Sequence, residues 1–226
     1  MEQKKKALGR GLEQLFSTEV LDFESFENNI MESASESDIK RIPVSEIRPN
    51  PYQPRKIFDE EAIEELSASI KEYGVIQNER HGKMFAYETD GKGNYVLMDD
   101  ANSPSLLAAP YLGYIKADNE LYKNTRSFVL SNDNPWYFEG RAAKGVGSPH
   151  TGIDKIWHIA LSMQALTSSN PEEIKECINM LTTTDAGTKL MHESFYKHDA
   201  TDFTRPWFAW ANSLFAELMI RLAEGK

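Results

Sequence analysis

The feature that most restricts the fold is an alternation in character among helical segments between residues 103 and 222. The first, third and fifth segments are apolar over most of their circumference, whereas the second and fourth carry charged residues on one side. Helices that are apolar all round are buried, and amphipathic helices lie at the surface. The alternation therefore predicts an all-α fold in which inner and outer helices take turns, as in part of an α/α toroid.

Capping signals set the limits of the predicted helices. Ser103 is a suitable N-cap with Pro104 at the first helical position, and Asn170 is a suitable N-cap for the fourth helix, with Glu173 three residues later. The five predicted helices span about 103–115, 120–130, 154–166, 171–181 and 206–222.

Three polar motifs precede the predicted inner helices. They are Met98-Asp-Asp-Ala-Asn, Gly147-Ser-Pro-His-Thr-Gly and Met191-His-Glu-Ser-Phe. In an antiparallel arrangement these connections meet at one end of the helices. We therefore expect a functional face there.

Composition excludes several classes of protein. The chain has 226 residues and a formal net charge of −10, which argues against duplex-DNA binding because that requires a surplus of Lys and Arg. Cys177 is the single cysteine, so an intrachain disulfide is excluded, and neither CxxC pairs nor an HExxH spacing around His192 and His198 indicates a metal site. An export signal and a run of eighteen apolar residues are both missing, so we expect a cytoplasmic protein outside the membrane, with no metal and no cofactor.

The first 76 residues differ in character from the rest. Positive residues open the chain, and residues 19–38 then hold seven acidic and no basic residues, so we expect residues 1–40 to be a disordered arm. Residues 41–76 contain a strand-like segment, a proline-rich turn and a helix over 59–73, which predicts a small α+β fragment. Residues 77–226 form the third predicted part.

The N-terminal segments Ala7-Leu-Gly-Arg-Gly-Leu, Asn50-Pro-Tyr-Gln-Pro-Arg and Ile70-Lys-Glu-Tyr-Gly-Val-Ile resemble the beginning of a chromosome-partitioning ParB protein. The resemblance implies a docking peptide for a ParA-type ATPase, formed by Leu8, Gly9, Arg10, Gly11 and Leu12. The nucleotide-binding box and helix-turn-helix of that family do not follow Ile76. The resemblance therefore implies only the ATPase-docking function for this chain. Specific DNA binding is not expected.

From about residue 80 to the end, an ordered set of motifs resembles glycoside hydrolase family 125. The set comprises Tyr95-Val-Leu-Met-Asp-Asp-Ala-Asn, Pro110-Tyr-Leu-Gly-Tyr, Gly147-Ser-Pro-His-Thr, Met191-His-Glu-Ser-Phe and Phe203-Thr-Arg-Pro-Trp. The resemblance implies an (α/α)6 barrel and metal-independent, inverting hydrolysis of terminal α-1,6-linked mannose. Residues 69–76 resemble a stretch found in both families, so they are a candidate crossover created by recombination, misassembly or a faulty gene model.

The resemblance to family 125 also implies roles for individual residues. Glu193 matches the general base, and an α-mannoside glycan would contact Asp99, Asp100, Asn102, His150, His192 and Trp207. The general acid of the family lies in the half of the barrel that the ParB-like segment replaces here. We therefore expect an inactive, truncated α-mannosidase, with ATPase docking through the N-terminal arm as the alternative function.

Each of these residues also has a purely structural interpretation. Glu193 could be a capping or ion-paired carboxylate, and Asp99 and Asp100 could simply precede a helix whose dipole favours negative charge. His150 could be a hydrogen-bonding residue of its glycine-rich loop. Trp207 fits a core position better than a sugar platform.

Overall fold

The computed structural model describes residues 64, 68–70 and 72–225. Residues 64, 68–70 and 72–73 are helical, and four complete helices follow in the described part of the chain. These helices are α1 (Glu120–Val129), α2 (His158–Leu166), α3 (Pro171–Thr183) and α4 (Ala209–Ala223).

The strands of the described region form four small antiparallel sheets. Three are two-stranded hairpins, which pair β1 (Val75–Asn78) with β2 (Gly82–Phe85), β3 (Glu88–Thr89) with β4 (Tyr95–Val96), and β5 (Tyr137–Glu139) with β6 (Lys144–Val146). The fourth has three strands in the order β7 (Lys155–Trp157), β8 (Ser194–Tyr196) and β9 (Asp199–Thr204).

The predicted all-α fold, a partial (α/α)6 toroid of about five helices, is therefore wrong. The described residues have mixed helix and strand content. Most of the strands have two to four residues, and strands that short leave too few alternating positions for periodicity to reveal them.

The predicted helix over 103–115 is one of the specific errors. These residues form a series of turns, held by bonds such as Ala109 N–H to Leu106 C=O and Leu112 N–H to Ala108 C=O. Pro110 lacks an N–H and disfavours helical backbone in the residue before it. Pro110 therefore prevents the helix that the apolar pattern predicts.

The predicted helix over 154–166 starts later than expected. Lys155–Trp157 is strand β7, and helix α2 begins only at His158. Asp154 has a φ of 65°, a left-handed conformation that cannot belong to an α-helix. The β-branched and aromatic residues Ile156 and Trp157 suit a strand, and β8 pairs with them.

Helices α1 and α3 are confirmed as amphipathic helices. Asn119 caps α1, and Asn170 caps α3 by accepting a hydrogen bond of 3.0 Å from the Glu172 N–H. Helix α2 is buried along nearly its whole length, as an inner helix should be. Helix α4 departs from that pattern because it buries one face and exposes the other.

The core lies around α2, which packs against both α3 and α4. Trp157, Ile159, Leu161 and Phe195 are almost completely buried there. The three-stranded sheet joins this core directly through β7, which runs into α2. Side chains at the end of that sheet are consequently held by strands that are anchored in the core.

Several sequence predictions lie outside the described residues. They are the disordered arm of residues 1–40, the ATPase-docking peptide with Arg10 at its centre, and all but the end of the ParB-like fragment over 41–76.

Candidate functional site

The three-stranded sheet brings two of the predicted polar motifs together. Strand β7 pairs with β8, and Ile156 of β7 also bridges to Gly147, the first residue of the Gly147-Ser-Pro-His motif. A Cβ at Gly147 would lie 2.1 Å from the Lys155 carbonyl oxygen, so only glycine fits this contact. The loop that carries His150 is thereby fastened beside the loop that carries Glu193.

The register of the β8–β9 hairpin positions Glu193. Ser194 pairs with Thr204, and the Glu193 N–H donates to the Thr204 carbonyl oxygen at 3.3 Å, so the next residue opposite Glu193 is Arg205. Arg205 has a φ of 47°, which is rare for a residue with a side chain. Such strained backbone is concentrated at functional sites.

The Glu193 carboxylate lies between two basic side chains. Its Oε1 is 3.7 Å from His150 Nε2, and its Oε2 is 3.6 Å from Arg205 Nε. The Glu193 side chain is 6% exposed, whereas those of His150 and Arg205 are 63% and 39% exposed. Both distances exceed that of a direct hydrogen bond, so each oxygen keeps room for another partner.

Aromatic rings pack around this ion cluster. The Trp157 ring meets the His150 ring edge to face at 6.2 Å and the Phe208 ring at 6.0 Å. The Arg205 guanidinium lies 5.8 Å from the centre of the Phe208 ring. The site therefore combines a partly buried carboxylate, two basic groups and an aromatic wall, a set that suits a polar ligand with one apolar face.

A hydrogen-bonded chain connects the Asp99–Asn102 motif to the same loop. Asp100 Oδ1 accepts from both the backbone N–H and the side-chain amide of Asn102, and that amide also donates to Ser148 Oγ at 3.2 Å. Ser148 Oγ in turn accepts from the His150 N–H at 3.1 Å. Asp100 and Asn102 are thus coupled to the loop that presents His150.

Asp99 occupies a different position from Asp100. Its side chain is fully buried, and its two carboxylate oxygens accept the backbone N–H groups of Leu106 and Leu107, both at 2.9 Å. Burial raises the pKa of Asp99 to about 7, against the lowering effect of those N–H groups. Asp99 thus organises the turns that follow it and is inaccessible to a ligand.

His192 is likewise buried, next to the exposed site. Its ring stacks on Phe203 at 3.9 Å, and its two nitrogens face the carbonyl oxygens of Pro206 and Asp185. Trp207, by contrast, is 37% exposed, two residues beyond Arg205. The structure thus places Trp207 at the surface and His192 in the interior.

Sequence reasoning gave no role to Arg205, Ser148 or Phe208. Arg205 and Phe208 stand in the Phe203-Thr-Arg-Pro-Trp-Phe run, and Ser148 stands next to the His150 motif. Their positions within or beside these motifs could have marked them as candidate site residues. The sequence alone does not reveal the strand register that places Arg205 opposite Glu193.

Other candidate features lie apart from this cluster. A cleft of about 1060 Å³ has a mainly apolar lining that includes Phe85, Leu106 and Tyr114 but none of the residues of the ion cluster. No group of three or more His, Cys, Asp or Glu side chains is placed to hold a metal ion within the described region. No described helix is long and apolar enough to cross a membrane.

Part of the chain is similar to chromosome-partitioning proteins. It is 45% identical over 74 residues to a probable chromosome-partitioning protein ParB of Helicobacter pylori, which covers 33% of this chain and 24% of that protein. The stage 0 sporulation protein J of Bacillus subtilis is 39% identical over 72 residues, 32% of this chain and 21% of that protein. The predicted resemblance to the start of ParB is confirmed.

The larger similarity is to glycoside hydrolases. The chain is 46% identical over 162 residues to the meiotically up-regulated gene 157 protein of Schizosaccharomyces pombe, 71% of this chain but 32% of that protein. It superposes with a TM-score of 0.71 and 44% identity on a Streptococcus pneumoniae metal-independent α-mannosidase, solved as a non-productive complex with α-1,6-mannobiose.

That superposition covers 74% of this chain and 39% of the solved chain, so this chain spans about a third of the Schizosaccharomyces pombe protein and about two fifths of the Streptococcus pneumoniae chain. The sequence profile described as metal-independent α-mannosidase (GH125) matches residues 29–220. On these matches, the chain belongs to glycoside hydrolase family 125.

Proposed function

We propose that the described residues form the base-carrying part of the active site of an inverting, metal-independent exo-α-1,6-mannosidase, with Glu193 as the general base. The observation that carries this proposal is the Glu193 carboxylate, nearly buried yet held 3.6–3.7 Å from Arg205 and His150. The two basic side chains flank the carboxylate at that distance without direct hydrogen bonds to its oxygens, which leaves those oxygens able to accept a proton.

Inversion requires a carboxylate that removes a proton from water while the water attacks the anomeric carbon. A second carboxyl group donates a proton to the leaving oxygen from the opposite side of the sugar. An oxygen of Glu193 that is free to accept such a proton suits the first role. Arg205, whose Nε lies 3.6 Å from Oε2, would orient the carboxylate for the transfer.

The remaining predicted residues divide into three groups by their exposure: exposed, half-buried and buried. His150 and Trp207 are accessible, and we assign them to sugar contact, the first as a hydrogen-bonding group and the second as an apolar platform. Asp100 and Asn102 would hold the His150 loop through Ser148. Asp99 and His192 would act through positioning because both are buried.

We further propose that this chain is inactive when alone. The general acid of the family lies, by the sequence resemblance, in the part that this chain lacks. General acid–base assistance is typically worth about 10²–10⁴-fold per group, and this chain matches only 39% of the solved mannosidase chain, so we expect the acid and much of the rest of the site to be missing and turnover to be undetectable.

The test is release of mannose from α-1,6-linked mannobiose by the purified full-length chain. We expect no release above a protein-free control. The matched control is Glu193→Ala. Turnover that this substitution abolishes would show that the chain supplies its own acid and would refute the inactivity.

Sugar binding tests the site separately from catalysis. We expect α-1,6-mannobiose to bind the chain weakly in an NMR titration and His150→Ala to weaken that binding by up to about tenfold, the value of one ordinary hydrogen bond. His198→Ala is the matched control because His198 lies at the opposite, turn end of the β8–β9 hairpin. Equal binding by the two variants would remove His150 from the site.

The similarity to ParB proteins favours a second candidate function for the N-terminal region. We infer that Leu8, Gly9, Arg10, Gly11 and Leu12 dock a ParA-type ATPase, on the strength of the 45% identity to the Helicobacter pylori protein. A synthetic peptide of residues 1–20 should stimulate ATP hydrolysis by such an ATPase, and a peptide with Arg10→Ala should not. Equal stimulation by both peptides would contradict the docking role.

A further inference from the structure

The cleft of about 1060 Å³ is separate from the site around Glu193 and has no role in the function proposed above. Its lining comes from three stretches of the chain, residues 69–74, residues 85–92 and the turns between residues 104 and 114. Pockets that bind small molecules typically have volumes of about 300–1,000 Å³. The cleft, called the aromatic cleft below, is therefore large enough for one small organic molecule.

The walls of the aromatic cleft are fixed to one another. The Ala86 N–H donates a hydrogen bond of 2.8 Å to the Gly74 carbonyl oxygen, which joins the end of the helical segment before β1 to the end of β2. The Tyr114 ring packs on the Phe85 ring at 5.9 Å, which holds the turns against the same strand. These contacts involve protein groups alone, so the cleft is formed before a ligand binds.

Four aromatic side chains line the aromatic cleft, namely Tyr73, Phe85, Tyr87 and Tyr114. Tyr73 and Tyr114 are exposed, so their rings are accessible to a ligand. The cation–π contacts of the described residues involve other rings, and no described Lys or Arg lies over these four. The face of an aromatic ring is electron-rich and attracts a cation. The rings of the cleft are thus available to bind one.

Carboxylates line the same cleft. Glu88 is exposed and forms no ion pair with any described residue. Asp90 accepts hydrogen bonds from the side-chain amide of Asn94 and from the backbone N–H groups of Lys92 and Asn94, and these bonds lower its pKa. Lys92 is the one basic residue among the described residues of the lining. The charges of the lining are therefore negative in sum.

The surroundings of Tyr87 show that the negative charge extends along the cleft. The pKa of the Tyr87 hydroxyl is raised, first because the side chain is partly buried and then because the carboxylates of Asp100, Asp99 and Glu88 lie near it. A cationic ligand would meet ring faces and carboxylates together. A neutral ligand of the same shape would gain only the apolar contacts, and an anionic one would be repelled.

We propose that the aromatic cleft binds a small organic cation, an amine or quaternary ammonium group carried on an aromatic or alkyl body. The apolar body packs against Phe85 and Leu106, and the cationic group lies among the aromatic rings beside Glu88. This binding site goes beyond the proposed function, and it does not depend on the role of Glu193.

The experiment compares three probes that share one body and differ in charge: phenylpropylammonium, phenylpropanol and phenylpropanoate. Each is titrated into the purified full-length chain and followed by NMR. We expect the cation to bind about tenfold more tightly than the alcohol, through its contacts with the rings and the carboxylates, and the anion to bind more weakly than the alcohol.

Two pairs of variants separate the contributions to binding. Glu88→Gln should weaken binding of the cation about threefold and leave the alcohol unchanged, whereas Lys92→Gln, in the same hairpin, should strengthen binding of the cation. Tyr114→Leu should weaken binding of the cation about threefold because it removes a ring, and Tyr114→Phe should leave that binding unchanged. All four positions are exposed, so we expect these variants to fold.

Three outcomes would overturn the proposal. The first is equal affinity for the three probes, and the second is binding of the cation that neither Glu88→Gln nor Tyr114→Leu changes. The third concerns Glu193→Gln, which should leave binding of the cation unchanged. Loss of binding in that variant would place the cation at the Glu193 site and not in the aromatic cleft, whereas failure of mannobiose to bind the chain would leave this proposal intact.

Discussion

At the scale of single residues, His158 shows how burial selects a protonation state. Its side chain is fully buried, and burial lowers its pKa to about 4. The neutral ring has a partner at each nitrogen, because Nδ1 accepts from the His192 N–H at 2.8 Å and Nε2 donates to Thr184 Oγ1 at 2.9 Å. The His192–Glu193 segment is thus supported from beneath by an uncharged imidazole.

Burial raises the pKa of Asp99, whereas it lowers the pKa of His158, so the two residues have opposite effects on how stability changes with pH. Between pH 4 and 6.5 the unfolded chain binds a proton at His158 that the folded chain does not, so this contribution falls as the pH falls. Asp99, with a folded pKa of about 7, contributes stability that is complete below pH 3.8 and is lost as the pH rises through 7. Over the shared range the two effects partly cancel.

We therefore predict that His158→Gln changes the pH dependence of stability. From pH 4 to 6.5 the wild type should gain about 3 kcal/mol in free energy of unfolding relative to the variant, because the variant lacks the titrating group. Urea unfolding at several pH values, followed by tryptophan fluorescence, measures this difference. Ser162→Ala, a neutral buried change on the same helix, should give a curve parallel to the wild type. A parallel curve for His158→Gln would disprove the assignment.

At the scale of secondary-structure elements, α3 is held by its first turn. Asn170 caps the helix, Pro171 occupies its first position, and Glu173 binds Arg126 of α1 at 3.0 Å and the Gln164 side chain of α2 at 2.8 Å. One turn therefore fixes α3 to both neighbouring helices.

We expect Asn170→Ala to lower the free energy of unfolding by about 1 kcal/mol, since the cap to the Glu172 N–H is lost. Asn179→Ala makes the same chemical change within the exposed side of α3 and should cost nothing measurable, because alanine is the better helix former. Chemical denaturation of both variants gives the comparison. Equal losses would mean that the cap contributes no stability.

At the scale of the whole molecule, the chain combines similarity to two families over overlapping lengths. The family 125 profile begins at residue 29, whereas the sequence motifs of that family are recognisable only from about residue 80. Because the net charge is −10 and the sequence has no recognisable helix-turn-helix motif, we expect no specific DNA binding.

The sequence by itself determined the local features of this protein. Helices α1 and α3 follow from periodicity and from the caps Asn119 and Asn170, whose hydrogen bonds reach only two residues along the chain. The motifs around His150 and Glu193 pointed to one functional face because each occupies a distinctive local pattern.

Only the tertiary structure decided the rest. The pairing of β7 with β8, the turns that replace a helix after Asp99, and the position of Arg205 opposite Glu193 all depend on contacts between distant segments. Strands of three residues have little intrinsic preference, and a shift of one position would turn every side chain to the other face. Register and burial are properties of the assembled core, so no local pattern could specify them.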